Sequence, residues 1–232
     1  MTSVYLIRHG ETANNQAHCC NGCRSNQPLN ERGEAQARAL SAYFAEHPVD
    51  AVHASHLGRA KQTATLAFRC VESALLVEPD LHEVDLGTWD GTPYAEAATR
   101  YPELWAGVTE NAVTTPFPGG ESVTEAADRI YSAFLRIVRA HRGERVAIVA
   151  HEMILVLLLL RVFGQKLTER RYMGGISNTG FDLLEIDEGG HATMKLWNYT
   201  DHLNAELWNK ADYYTNFDEL ADKYKDGAQL PL

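Results

Sequence analysis

Long apolar runs are missing from this 232-residue chain. The longest covers residues 153–160, between Glu152 and Arg161, and a membrane-spanning helix needs about 20 residues. The apolar stretch at 4–7 is also too short for the core of a secretion signal. A cytoplasmic protein with no membrane partner is the expectation. Positive charge is scarce as well: 21 Lys and Arg stand against 31 Asp and Glu, a net charge of −10. General nucleic-acid binding needs a basic surface to displace counterions, so nucleic acid is excluded as a partner, although a local basic pocket is not. Cysteine is limited to four residues, which without an export signal are expected to remain thiols. The run His18-Cys19-Cys20-Asn21-Gly22-Cys23 has the look of a metal or redox site, but no second ligand pair matches it, and neither metal nor cofactor is expected. No Gly-x-Ser-x-Gly, phosphate-binding P-loop or Gly-x-Gly-x-x-Gly is present. His151-Glu152-Met153-Ile154-Leu155 begins like a zinc-protease helix, but Leu155 stands where the second His belongs.

What is present is a soluble composition, 45% hydrophobic and 22% charged, in a chain long enough to bury a core without staples. Short apolar strands are expected at 3–7, 51–54, 75–77, 146–150, 181–186 and 193–197. Helices are expected at 31–46 behind an Asn30 cap, at 58–72, at 122–141 behind a Ser122/Glu125 capping box, and at 152–163. Strands alternating with helices predict an α/β fold, a three-layer sandwich with a mostly parallel sheet. The last two strands should form an antiparallel edge. The stretch from about 88 to 121 breaks the pattern with Thr, Pro, Gly and aromatics and reads as a cap inserted over the C-terminal strand ends. Residues 201–232 read as an acidic, aromatic tail, helical in part, carrying Trp208, Tyr213, Tyr214, Phe217 and Tyr224. The whole, 1–232, reads as a single domain.

Ligands of open α/β sheets bind beyond the C-terminal strand ends. Arg8 and His9 follow the first strand, Arg59 the second, Glu83 the third and His151 the fourth. Any one of these alone is more often a packed or solvated side chain than a functional one. Their coincidence at four strand ends is what points to chemistry. Two Arg suit an anionic phosphoryl group, a His suits a nitrogen nucleophile, and a carboxyl group suits a proton donor.

The block Leu6-Ile7-Arg8-His9-Gly10-Glu11-Thr12 resembles the signature of the histidine phosphatase superfamily, phosphoglycerate-mutase-like branch. Further blocks agree in order and spacing: 28–33 (Pro-Leu-Asn-Glu-Arg-Gly), 55–64 around Arg59, 81–91 around Glu83, 118–122 (Pro-Gly-Gly-Glu-Ser) and 146–151. The resemblance implies His9 as the nucleophile that becomes phosphohistidine. It implies Arg8, Arg59 and His151 as holders of the phosphoryl oxygens, Asn15 as a further phosphate contact, and Glu83 as the proton donor, with Asp85 a rival. The family usually has Gly after the second His. Here Glu152 follows, and its carboxylate is expected to point away from the phosphate.

The expected function is a metal-independent phosphomonoester hydrolase acting on a small phosphorylated metabolite, with the two Arg and His151 supplying positive charge. Two alternatives stand beside it: mutase-type phosphoryl transfer and non-catalytic phosphate-ester binding. A doubly anionic mutase substrate is poorly served, because Arg100 is the only basic residue between Leu86 and Glu121. The acidic cap favours monophosphates, and its aromatics hint at a partly apolar leaving group.

Overall fold

The computed structural model describes residues 1–71, 74–110, 116–172, 175–208, 220 and 222–232. One mixed sheet carries the fold. Its strands are β1 (Thr2–Arg8), β2 (Ala51–Ser55), β3 (Leu75–Glu78), β4 (Arg145–Ala150), β5 (Phe181–Ile186), β6 (His191–Tyr199) and β7 (Ala228–Gln229), in the spatial order β3-β2-β4-β1-β5-β6-β7. The first four in that order run parallel, and the remaining three pair antiparallel at one edge. The fold is therefore α/β, with the parallel core and antiparallel edge expected. The edge is one strand longer than expected because residues 228–229 of the tail pair with β6.

The strand sequences explain why both faces are covered. Side chains alternate across a strand, and here both sets are apolar. Val4, Leu6, Val146 and Ile148 pack into one buried cluster, while Tyr5, Ile7, Ala147 and Val149 pack into another on the opposite face. The helices α2 (Glu31–Glu46) and α3 (Gly58–Ala67) cover the second face through Leu40, Phe44, Ala60 and Ala64. On the first face lie α6 (Val123–Ala140) and α7 (Glu152–Val162). Residues 154–160 of α7 are all buried, so the long apolar run is a core helix.

Local signals set the helix starts. The Asn30 side chain accepts the Gly33 N–H at 2.8 Å. Ser122 and Glu125 close a reciprocal capping box, with one hydrogen bond of 2.8 Å from the Ser122 N–H to Glu125 Oε2. Three segments depart from the sequence expectation. The helix at α3 stops at Ala67, since Phe68 leaves helical geometry; its expected end at 72 lies outside the described residues. The 88–121 stretch contains two helices, α4 (Tyr94–Arg100) and α5 (Pro102–Glu110). In the tail, Tyr224 is buried against Phe163 and Trp197, whereas Tyr213, Tyr214 and Phe217 lie outside the described residues.

Candidate active site

The sheet brings the two histidines together. Arg8 ends β1 opposite Ala150, which ends the neighbouring β4. The chain continues from each into His9 and His151, whose rings lie 5.1 Å apart, and the His9 N–H donates to the Ala150 carbonyl at 3.0 Å. Arg59, in the first turn of α3 and fully buried, lies between them. Its Nε points at His9 Nε2 (3.1 Å) and at His151 Nδ1 (3.2 Å).

These contacts assign the tautomers. His9 Nδ1 is 2.7 Å from the Gly10 carbonyl and must donate its proton there, which leaves Nε2 as a lone pair facing Arg59. His151 Nδ1 likewise accepts, so its proton sits on Nε2, a buried atom with no hydrogen-bond partner among the described residues. Burial, then the charges of Arg59 and Arg8, hold His9 well below the usual imidazole range. Burial and Arg59 do the same to His151. Both rings are neutral at pH 7, so the expectation that His151 contributes positive charge is corrected: it offers a neutral N–H donor, and the cationic groups are the arginines.

Arg59 does more than the sequence suggests. Its Nη1 donates to the Ser25 carbonyl (2.6 Å) and its Nη2 to those of Asn21 (3.2 Å) and Gly22 (3.0 Å). The cysteine-bearing loop thus hangs from the guanidinium. Burial lowers its pKa to about 10, still charged at neutral pH. Burial also pushes the Cys20 and Cys23 thiols up to about 11, so neither is a ready nucleophile.

Glu83 is 7% exposed and accepts the N–H groups of Val84 (2.9 Å), Met153 (3.2 Å) and Ile154 (3.1 Å). Two of these belong to the first turn of α7, which ties the carboxyl to the backbone just after His151. Burial is the strongest influence and leaves its pKa raised despite the N–H groups and Arg59. The rival Asp85 is held differently. Burial pushes Asp85 up, but the Arg24 fork (2.7 and 2.9 Å) and the Gly87 N–H outweigh it and hold Asp85 below the ordinary carboxyl range.

The remaining positions divide. Asn15 Oδ1 accepts from the Thr12 N–H (3.1 Å) and hydroxyl (2.9 Å), closing a capping box on the short α1 (Ala13–Gln16). Arg8 Nη1 donates to the Ile176 carbonyl (2.8 Å) and pairs with Glu152 Oε2 at 2.7 Å. The expectation that Glu152 points away is therefore corrected: from the first position of α7 its carboxylate reaches the Arg8 guanidinium. The cap aromatics divide between packing and surface. Trp89 and Phe117 are each 1% exposed and pack with Tyr101 and Trp105 as a small core; Tyr94 remains 45% exposed.

Sequence reasoning missed two supports. The Thr63 hydroxyl accepts the Gly10 N–H (2.9 Å) and donates to the Arg59 carbonyl (2.7 Å). Asn178 Nδ2 donates to the His9 carbonyl (2.9 Å). Thr63 could have been found from its place one turn after Arg59; Asn178 has no local signal. The glycines of two motif blocks also interlock: a Cβ on Gly10 would lie 2.5 Å from the Gly33 carbonyl oxygen, and one on Gly33 would lie 2.1 Å from that of Glu11.

The profile of the histidine phosphatase superfamily (branch 1) matches residues 4–200, and the chain belongs to that family. A bifunctional protein of Mycobacterium tuberculosis is 33% identical over 203 residues, a match covering 87% of this chain and 55% of that protein; the chain thus corresponds to little more than half of that relative. A metal-independent phosphoserine phosphatase of Arabidopsis thaliana is 32% identical over 209 residues, covering 88% of this chain and 84% of that one. The solved structure of Bacillus stearothermophilus YhfR superposes with a TM-score of 0.82 at 26% identity, covering 88% of this chain and all of the other. Among the described residues no helix is long and apolar enough to cross a membrane.

Proposed function

We propose that this protein is a metal-independent phosphomonoester hydrolase that works through a phosphohistidine on a small phosphorylated metabolite, one catalytic domain with residues 88–121 as its cap. The observation that carries the reading is the His9 ring. Its Nδ1 proton is committed to the Gly10 carbonyl and its Nε2 lone pair faces the Arg59–His151 side of the pocket. A neutral imidazole fixed in that tautomer is what attack on phosphorus requires. Nε2 forms the N–P bond as the ester P–O bond breaks, and Glu83 gives its proton to the leaving oxygen. Glu83, now a carboxylate, takes a proton from water whose oxygen attacks the phosphohistidine, releasing phosphate and restoring both residues.

Phosphoryl transfer asks mainly for positioning and charge neutralisation. Arg8, Arg59 and the His151 Nε2 proton supply these without a metal, and Asn15 is a further phosphate contact through its amide. The four thiols suit a reducing compartment such as the cytoplasm. A mutase reading is disfavoured by the cap, where Arg100 lies 65% exposed beside Glu96. The test is turnover of p-nitrophenyl phosphate in EDTA together with acid-labile labelling. Wild type keeps its activity and traps a phosphoenzyme, and His9→Ala loses both. Loss of activity to the chelator removes the metal-independent claim, and turnover by His9→Ala removes the nucleophile.

A further inference from the structure

Glu152 is an unusual neighbour for a phosphate. Its Oε2 lies 2.7 Å from Arg8 Nη1, and its side chain is 39% exposed, whereas that of Arg8 is 7% exposed. It therefore stands at the outer end of the pair, between the buried guanidinium and solvent. It is also placed beside the proton donor, because the next two residues, Met153 and Ile154, give their N–H groups to Glu83. Arg8 holds the phosphoryl group and Glu83 must face the oxygen that leaves. In the proposed reaction, a carboxylate placed near both would meet the leaving alcohol.

A bound phosphate dianion beside this carboxylate is repelled, and the shared cation Arg8 offsets only part of that. A neutral or anionic leaving group leaves the repulsion standing. An alcohol that brings its own positive charge a few ångströms from the phosphate turns it into an attraction. We propose that Glu152 is a specificity residue that selects phosphate esters of amino alcohols, its carboxylate receiving the substrate's ammonium group. Tyr94, exposed on the cap helix α4, is the aromatic surface on that side.

This inference rests on the phosphatase reading, and the experiment separates the two. O-phosphoethanolamine and propyl phosphate differ only in an ammonium for a methyl group. Wild type is expected to favour the former in kcat/KM by roughly two- to fivefold, the scale of a partly exposed charge pair. Glu152→Gln, which keeps size and polarity, is expected to bring the ratio near one. The preference should fall with added salt in wild type and not in the variant. An unchanged ratio in Glu152→Gln overturns the proposal, as does a uniform rise for both esters, which marks Glu152 as a mere competitor for Arg8. Equal turnover of both esters by wild type overturns it too and leaves the phosphatase reading intact. Failure to hydrolyse either ester and p-nitrophenyl phosphate as well sinks that reading itself.

Discussion

Replacing Glu83 by Gln tests the proton donor and the frame around it together. The carboxyl sits on three backbone N–H groups, two of them at the start of α7. Gln retains one acceptor oxygen and swaps the other for an amide that cannot accept, so one α7 N–H loses its partner. That structural cost is about 1–3 kcal/mol and falls on every substrate alike. The chemical loss does not. An alkyl alkoxide needs the proton, and a positioned general acid is worth roughly 10²–10⁴-fold, or about 3–5 kcal/mol of barrier. Nitrophenolate leaves as a stabilised anion and needs little help. In Glu83→Gln the kcat for propyl phosphate should therefore drop at least a hundredfold more than that for p-nitrophenyl phosphate.

The pH profile gives a second reading. Burial raises the Glu83 pKa, so the acid form persists above the ordinary carboxyl range and is lost as pH climbs through that raised value. Alkyl-ester turnover in wild type should decline on that limb, and the limb should be absent in the variant. Equal losses on both esters, or an unchanged alkaline limb, would show that Glu83 only anchors α7.

Two further outcomes follow from buried groups. Asp182 is buried beside β6, accepts the Asn198 N–H, and is pushed up to about 7 by burial. The unfolded chain releases this proton near 3.8, so the folded state loses stability as pH rises from there through 7, by at most about 4 kcal/mol. Asp182→Asn keeps the acceptor, so its melting temperature should exceed that of wild type by several degrees at about pH 8 and match it near pH 4; a pH-independent gap refutes this. For Gly33→Ala, helix propensity alone favours Ala by about 1 kcal/mol. The added Cβ would meet the Glu11 carbonyl oxygen at 2.1 Å, so destabilisation by more than 2 kcal/mol is expected in denaturant titration, and a neutral result refutes the interlock.

The sequence displayed the framework well because the framework is written in local terms. Apolar strands ended in Arg8, at Ser55 before Arg59, and at Ala150 before His151, and the Asn30 and Ser122 caps marked helix starts. What it concealed depends on distant chain. The three carbonyls on Arg59, the α7 N–H groups on Glu83 and the Asn178 amide on His9 join residues far apart in number. In the sequence Glu152 stands out only as a break in a pattern, yet its direction is set by Arg8 at the end of β1. The cap helices hid behind Thr and Pro because their stability comes from burying Trp89 and Phe117, not from propensity. The two residues of β7 are too few to carry a period.

The anchoring of Arg59 to Ser25, Asn21 and Gly22 has a thermodynamic consequence. A flexible arginine loses about 2 kcal/mol of rotamer freedom when it closes on a ligand. Here that ordering belongs to folding, since every guanidinium nitrogen is already bonded. Phosphate would meet a charge that neither searches nor reorganises. Under the proposed function, discrimination among esters would then rest on the partly exposed side chains nearby, Glu152 and Tyr94.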